Sequence, residues 1–159
     1  MKLVGGLLRY WVVALVVLGC GGPEVAYEAA EDFGTEGWAY ADSVSFDYTV
    51  TDTSRQYDLV LTVDHTDDFA YENFYVQLNT YLPDGDRLTQ ALSLELADNY
   101  GQWYGECEGT DCTTAISLQE GTRFTAPGAY RLVVAQYSRD TVLAGVTGLG
   151  YRVVVVPEA

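Results

Sequence analysis

From Val44 onward, apolar and polar side chains alternate with a period of two. In "SVSFDYTVT", Val44, Phe46, Tyr48 and Val50 fall on one side, and Ser45, Asp47 and Thr49 on the other. Successive side chains of a strand point to opposite faces, so this is the pattern of a half-buried β-strand. "YDLVLTVDH" repeats it with Tyr57, Leu59, Leu61 and Val63, and "NFYVQLNTYL" with Phe74, Val76, Leu78 and Leu82. "QALSLELA" places Leu92, Leu94 and Leu96 together, and "AYRLVVAQY" places Tyr130, Leu132, Val134 and Gln136. "GYRVVVV" reads as the last strand, ending before Pro157.

The punctuation between these runs suits hairpins. "DTSRQ" separates the first two, and "PDGD", Pro83 to Asp86, sets an Asp-Gly pair between two alternating runs. "DNYG", Asp98 to Gly101, has the Asp-first, Gly-last preference of a type I turn, with "QWYGE" as its return strand. No long amphipathic helix and no repeat at solenoid spacing occurs. The chain is therefore expected to be all-β, an antiparallel β-sandwich of about 7–9 strands. A closed barrel is the alternative.

The N-terminus lacks this pattern. Lys2 and Arg9 accompany the apolar run "YWVVALVVLGC", which ends at Cys20. The run has the build of a signal sequence and is short for a membrane span. "VLGC" resembles a bacterial lipobox, which implies cleavage before Cys20 and lipidation of its thiol. A plain secretory signal and a retained anchor are the alternatives. The expected organisation is a lipoprotein signal peptide over 1–19, a lipidated Cys and tether over 20–32, and one β-sandwich domain over 33–159. Gly21 supplies no aspartate retention signal after the lipidated residue, which points to the outer membrane.

Charge narrows the partners. The whole chain carries 23 acidic and 8 basic residues, a formal net charge of −15. Loss of Lys2 and Arg9 with the signal peptide takes the mature chain to −17 and leaves it without lysine. Such a surface repels nucleic acid and anionic lipid headgroups. It suits either an ordinary solvated envelope surface or high ionic strength, where self-repulsion is screened.

Candidate chemistry is sparse. Cys107 and Cys112, in an oxidising compartment, are expected to form a disulfide; free thiols or a metal site are the other readings, though the chain has a single histidine to add to them. That histidine, His65, lies in "DHTDD" and is expected at a strand end facing solvent, with general-base chemistry as the alternative. Asp64, Asp67 and Asp68 lack the register of a calcium loop, and no nucleophile motif appears. No catalytic residue, cofactor or metal is therefore assigned. Tyr75 and Tyr81 alternate with Gln77 and Asn79, a polar-aromatic face suited to a protein partner or a glycan. Trp103 reads as a core anchor near its turn, or as a third member of that binding face.

Three segments, "YENFYVQLNTYLPDG", "LADNYGQWYG" and "RFTAPGAYRLVVAQYSRDTVLAGVTGLGYRV", resemble the GldH gliding motility lipoproteins of the Bacteroidetes group. The resemblance is carried by Asn73, Pro83, Gly85, Leu96, Ala97, Asp98, Gly101, Trp103, Gly105, Phe124, Gly128, Tyr130, Gln136, Arg139, Gly148 and Gly150, taken in order. It implies a non-enzymatic lipoprotein, held in the membrane through Cys20, whose partners are envelope proteins of the gliding or type IX secretion machinery. The reading that stands beside it is a carbohydrate-binding surface lipoprotein using Tyr75, Tyr81 and Trp103.

Overall fold

A computed structural model describes residues 22–158. The expected signal peptide and Cys20 lie outside the described residues.

The period-two runs form strands with the expected sides inward. Val44, Phe46, Tyr48 and Val50 are all buried in β3 (Val44–Val50). The same holds for Tyr57, Leu59, Leu61 and Val63 in β4 (Tyr57–Thr66) and for Phe74, Val76 and Leu78 in β5 (Asn73–Tyr81). β6 (Arg87–Glu95) buries Leu94, and β9 (Gly128–Gln136) buries Tyr130, Leu132, Val134 and Gln136. β11 (Val146–Val155) completes the core with Leu149, Tyr151, Val153 and Val155.

These strands make two antiparallel sheets whose inner faces share one apolar core, an antiparallel β-sandwich. One sheet runs β3-β9-β5-β6. The other runs β1-β11-β4-β8-β7, with β1 at Val25–Asp32, β7 at Glu106–Glu108 and β8 at Asp111–Thr122. A two-stranded ribbon of β2 (Trp38–Ala39) and β10 (Val142–Leu143) stands beside them, after a single 3-10 turn at Gly34–Glu36. Eight of the eleven strands among the described residues have seven residues or more.

Turn chemistry closes β5 onto β6. Gly85 takes φ +91°, the Gly85 amide donates to the Leu82 carbonyl at 3.0 Å, and the Asp86 amide donates to the Asp84 carboxylate. The "DNYG" turn forms too: the Asp98 carboxylate accepts from the amides of Tyr100 and Gln102.

Three expectations need correction. The tether over 20–32 is, from Val25 to Asp32, strand β1, paired along β11 from Val25↔Val154 to Asp32↔Gly148. The folded part thus begins before Phe33. β1 is an edge strand that half-buries only Tyr27 and Ala29, so its alternation has almost no hydrophobic contrast. Second, the return strand after "DNYG" shrinks to the single bridge Ala97↔Trp103. The chain then crosses to the other sheet at Gly105, whose backbone is pressed on β8: a Cβ there would lie 2.1 Å from the Thr113 carbonyl oxygen. Third, His65 does not face solvent. It is 1% exposed, on the inner side of β4.

Candidate functional site

His65 is held as a core residue. Its Nδ1 lies 2.9 Å from the Thr66 carbonyl and its Nε2 3.4 Å from the Thr114 hydroxyl, and its ring packs at 4.5 Å from that of Trp103 and 6.1 Å from that of Phe69. Asp64 accepts from the Thr113 hydroxyl at 2.6 Å. Among the described residues, no three of His, Cys, Asp and Glu gather as metal ligands would. Cys107 and Cys112 are joined by a disulfide that staples β7 to β8 directly across the ladder. The hairpin between them turns at Gly109, with φ +66°.

The fold separates the three aromatic residues singled out in the sequence. Tyr75 and Tyr81 share the outer face of the four-stranded sheet, 53% and 38% exposed. Trp103 lies on the other side of that sheet, half-buried against His65, its indole nitrogen donating to the Asp67 carbonyl at 3.2 Å.

Tyr75 instead meets three tyrosines that sequence reading passed over. Tyr40, Tyr71 and Tyr137 join it around an open hollow of about 540 Å³, together with Asn73, Arg139 and Asp140. The scaffold begins in the core. Gln136, at the end of β9, is buried and donates from Nε2 to the Trp38 carbonyl at 2.8 Å. The Ser138 hydroxyl donates to Gln136, and the Asp140 amide donates to Ser138. The loop after β9 is thereby folded back, and the Tyr137 amide donates to the Tyr75 carbonyl at 2.9 Å. On the ribbon side, the Tyr40 amide donates to the Thr141 carbonyl. The neighbouring Asp140 carboxylate, by hydrogen-bonding the neutral phenol and by its charge, holds Tyr71 above its ordinary pKa. Tyr40, Tyr71 and Tyr137 sit in or beside loops, so no strand period marks them, and only the β5–β9 pairing brings Tyr137 to Tyr75.

The hollow combines flat aromatic faces with a guanidinium, a carboxylate and an amide. Tyr and Arg are the residues that dominate binding at protein interfaces, and the same set can stack on and hydrogen-bond a sugar. Arg139 makes neither of the described ion pairs, which join Arg55 to Glu24 and Arg131 to Asp47.

A second concavity, of about 460 Å³, opens between the sheets where β6 and β8 diverge. Its walls include leucines of β4, β5 and β6 and Ile116 and Leu118 of β8, and core tyrosines line it too.

Two comparisons with known proteins concern the chain as a whole. The family model described as GldH lipoprotein matches residues 25–153. A protein of Christiangramia forsetii named "gliding motility lipoprotein GldH homolog" is 23% identical over 123 residues, covering 73% of this chain and 76% of its own length.

Proposed function

The chain belongs to the GldH lipoprotein family, and we propose that it is a lipid-anchored protein of the cell envelope that serves gliding motility by binding protein partners. In this reading Cys20 carries the lipid, the outer membrane is the site of anchoring, and the partners belong to the gliding or type IX secretion machinery. The protein does no chemistry of its own. The observation that supports a binding role is the tyrosine hollow: four exposed tyrosines and Arg139, fixed by a hydrogen-bonded loop, on a surface that is otherwise strongly acidic. Rigid aromatic side chains and arginine give large contact area at low entropic cost.

The test is genetic and biochemical. A deletion strain should lose spreading, and the wild-type gene should restore it. Cys20→Ala protein, and Tyr75→Ala/Tyr137→Ala protein, should fail to restore it at equal abundance. Crosslinking of the native lipoprotein in its own envelope should capture a partner that the double-tyrosine variant does not. Normal spreading in the deletion strain would refute the reading.

The same hollow supports glycan binding as a second reading, since Tyr75 and Tyr137 stand with Asn73 and Arg139. A glycan array that gives no signal above background, peptidoglycan fragments included, would remove it.

A further inference from the structure

The two sheets are closed on one side and open on the other. Where β1 and β3 adjoin, the Tyr27 and Tyr48 rings pack at 5.5 Å. Where β6 and β8 adjoin, no ladder joins them, and the cleft of about 460 Å³ remains. Leu78, Leu82 and Leu92 wall it from one sheet, Ile116 and Leu118 from the other, and Phe124 lines it too. Five of these six are only half-buried, so apolar surface is left in contact with water. The volume lies in the range of small-molecule sites, about 300–1,000 Å³, and the lining is of the apolar kind such sites use.

The cleft lies at the end of the sandwich where the chain emerges from its N-terminal segment. Val25 pairs with Val154, and the neighbouring Val155 pairs with Tyr57, which pairs with Thr122 beside the cleft. The Glu24 carboxylate is held by Arg55 through two bonds of 2.8 Å. The adjoining Ser54 carbonyl accepts from Arg123, which lines the cleft beside Phe124. Cys20 stands four residues before Glu24. At about 3.3–3.6 Å per extended residue, the Cα of Cys20 stays within roughly 15 Å of the Cα of Glu24. A ligand tethered there has a high effective concentration at the cleft and is spared most of the entropy cost of association.

We propose that the cleft between β6 and β8 houses one of the acyl chains attached to Cys20, while the remaining acylation holds the membrane. This rests on the reading of Cys20 as the lipidated residue. The occupant is a long unbranched hydrocarbon, covalently continuous with the chain whose cleft it fills. With one chain withdrawn into the fold, the domain is drawn against the bilayer by the end that carries Glu24, Arg55 and Arg123.

Metabolic labelling with a fatty acid bearing a mid-chain diazirine tests this in the native lipoprotein. After illumination, peptide mapping should find the Cys20 lipid crosslinked within the same chain to the β8 peptide containing Ile116 and Leu118. Leu118→Trp, which fills the cleft, should lose most of that crosslink while keeping the intact mass of the acylated protein. A Cys20→Ser protein, which lacks the thiol that carries the lipid, should take up cis-parinaric acid with a rise in fluorescence that palmitate reverses. Crosslinks confined to bilayer lipid or to other proteins would overturn the proposal and leave lipidation standing. Absence of acyl mass on Cys20 would overturn both. Failure of the Cys20→Ser protein to bind the probe would show that the cleft does not accept hydrocarbon.

Discussion

The indole of Trp103 packs at 4.5 Å against the imidazole of His65, so the segment that leaves the four-stranded sheet is keyed into the inner face of the other. The Trp103 indole also donates to the Asp67 carbonyl, tying it to the loop after β4. Trp103→Ala should therefore cost stability. Fully buried Trp→Ala changes cost about 3–5 kcal/mol, and half-burial sets the expectation near 2–3 kcal/mol. Urea unfolding measures it. The partner capture proposed for the tyrosine hollow should be unchanged at temperatures where the variant stays folded.

Cys107 and Cys112 enclose a very short loop. In the chain-entropy account such a crosslink contributes about 2 kcal/mol. Cys107→Ala/Cys112→Ala should lower stability by about that amount without unfolding the sandwich, because β8 is still paired along β4. Thermal unfolding with and without reductant should give matching shifts for wild type, and none for the variant.

Acid should loosen the start of β1 before it unfolds the whole domain. The Arg55 hydrogen bonds hold the Glu24 carboxyl below its ordinary value of 4.5, with Arg55's charge adding to the effect. Hydrogen bonds from the Ser54 hydroxyl and amide likewise lower Asp52. A depressed carboxyl stabilises the native state above its unfolded pKa, and that contribution fades as pH falls through the lower, folded value. The protection of the Val155 amide, which donates to the Glu24 carbonyl, taken relative to its intrinsic exchange rate at each pH, should fall below about pH 4.5, the ordinary value at which the loss begins. Glu24→Gln should exchange faster at neutral pH and lose this dependence.

Salt should stabilise the protein. A formal charge of −15, with two ion pairs among the described residues, leaves mostly unpaired negative charge on the surface. Screening relieves that repulsion, since the Debye length falls from about 10 Å at 0.1 M to about 3 Å at 1 M. The melting temperature should rise between 0.05 M and about 1 M sodium chloride. A maximum at low salt would mean that the acidic surface is already accommodated by the fold.

Gly105→Ala should be costly although glycine there needs no unusual φ. Its Cβ would meet backbone, the Thr113 carbonyl at 2.1 Å, which cannot swing aside. Overpacking of this kind costs about 1–3 kcal/mol. The neighbouring β7–β8 hairpin should show the largest chemical-shift changes.

The strands that were legible from sequence are those with strong contrast between their faces. Phe46 against Asp47, or Leu61 against Thr62, states which side is inside. β8 is the counterexample. It turns Cys112, Thr114, Ile116 and Leu118 inward and Thr113, Ala115 and Ser117 outward, a difference too slight to read by polarity. His65 was misjudged because a titratable ring at a strand end looks like surface, whereas the Thr114 hydroxyl and the Trp103 ring arrive from distant segments to enclose it. Tyr75 was visible as an outward aromatic on a strand. Its companions Tyr40, Tyr71 and Tyr137 come from three separate connections, and only folding places them together. The turns at Asp84–Gly85 and Asp98–Gly101 were legible because their residues act locally, through backbone conformation and short-range hydrogen bonds.

The pairing of β1 with β11 joins the first strand to the last. No shorter stretch of chain can stand in for it: until Val154 has crossed a membrane, Val25 has nothing to pair with. A protein exported from its N-terminus therefore passes outward with its leading strand unmatched and its sandwich incomplete. On the proposed reading of Cys20 as the lipidated residue, its processing in that interval would precede the pairing of β1, which the last residues to emerge would then lock in place.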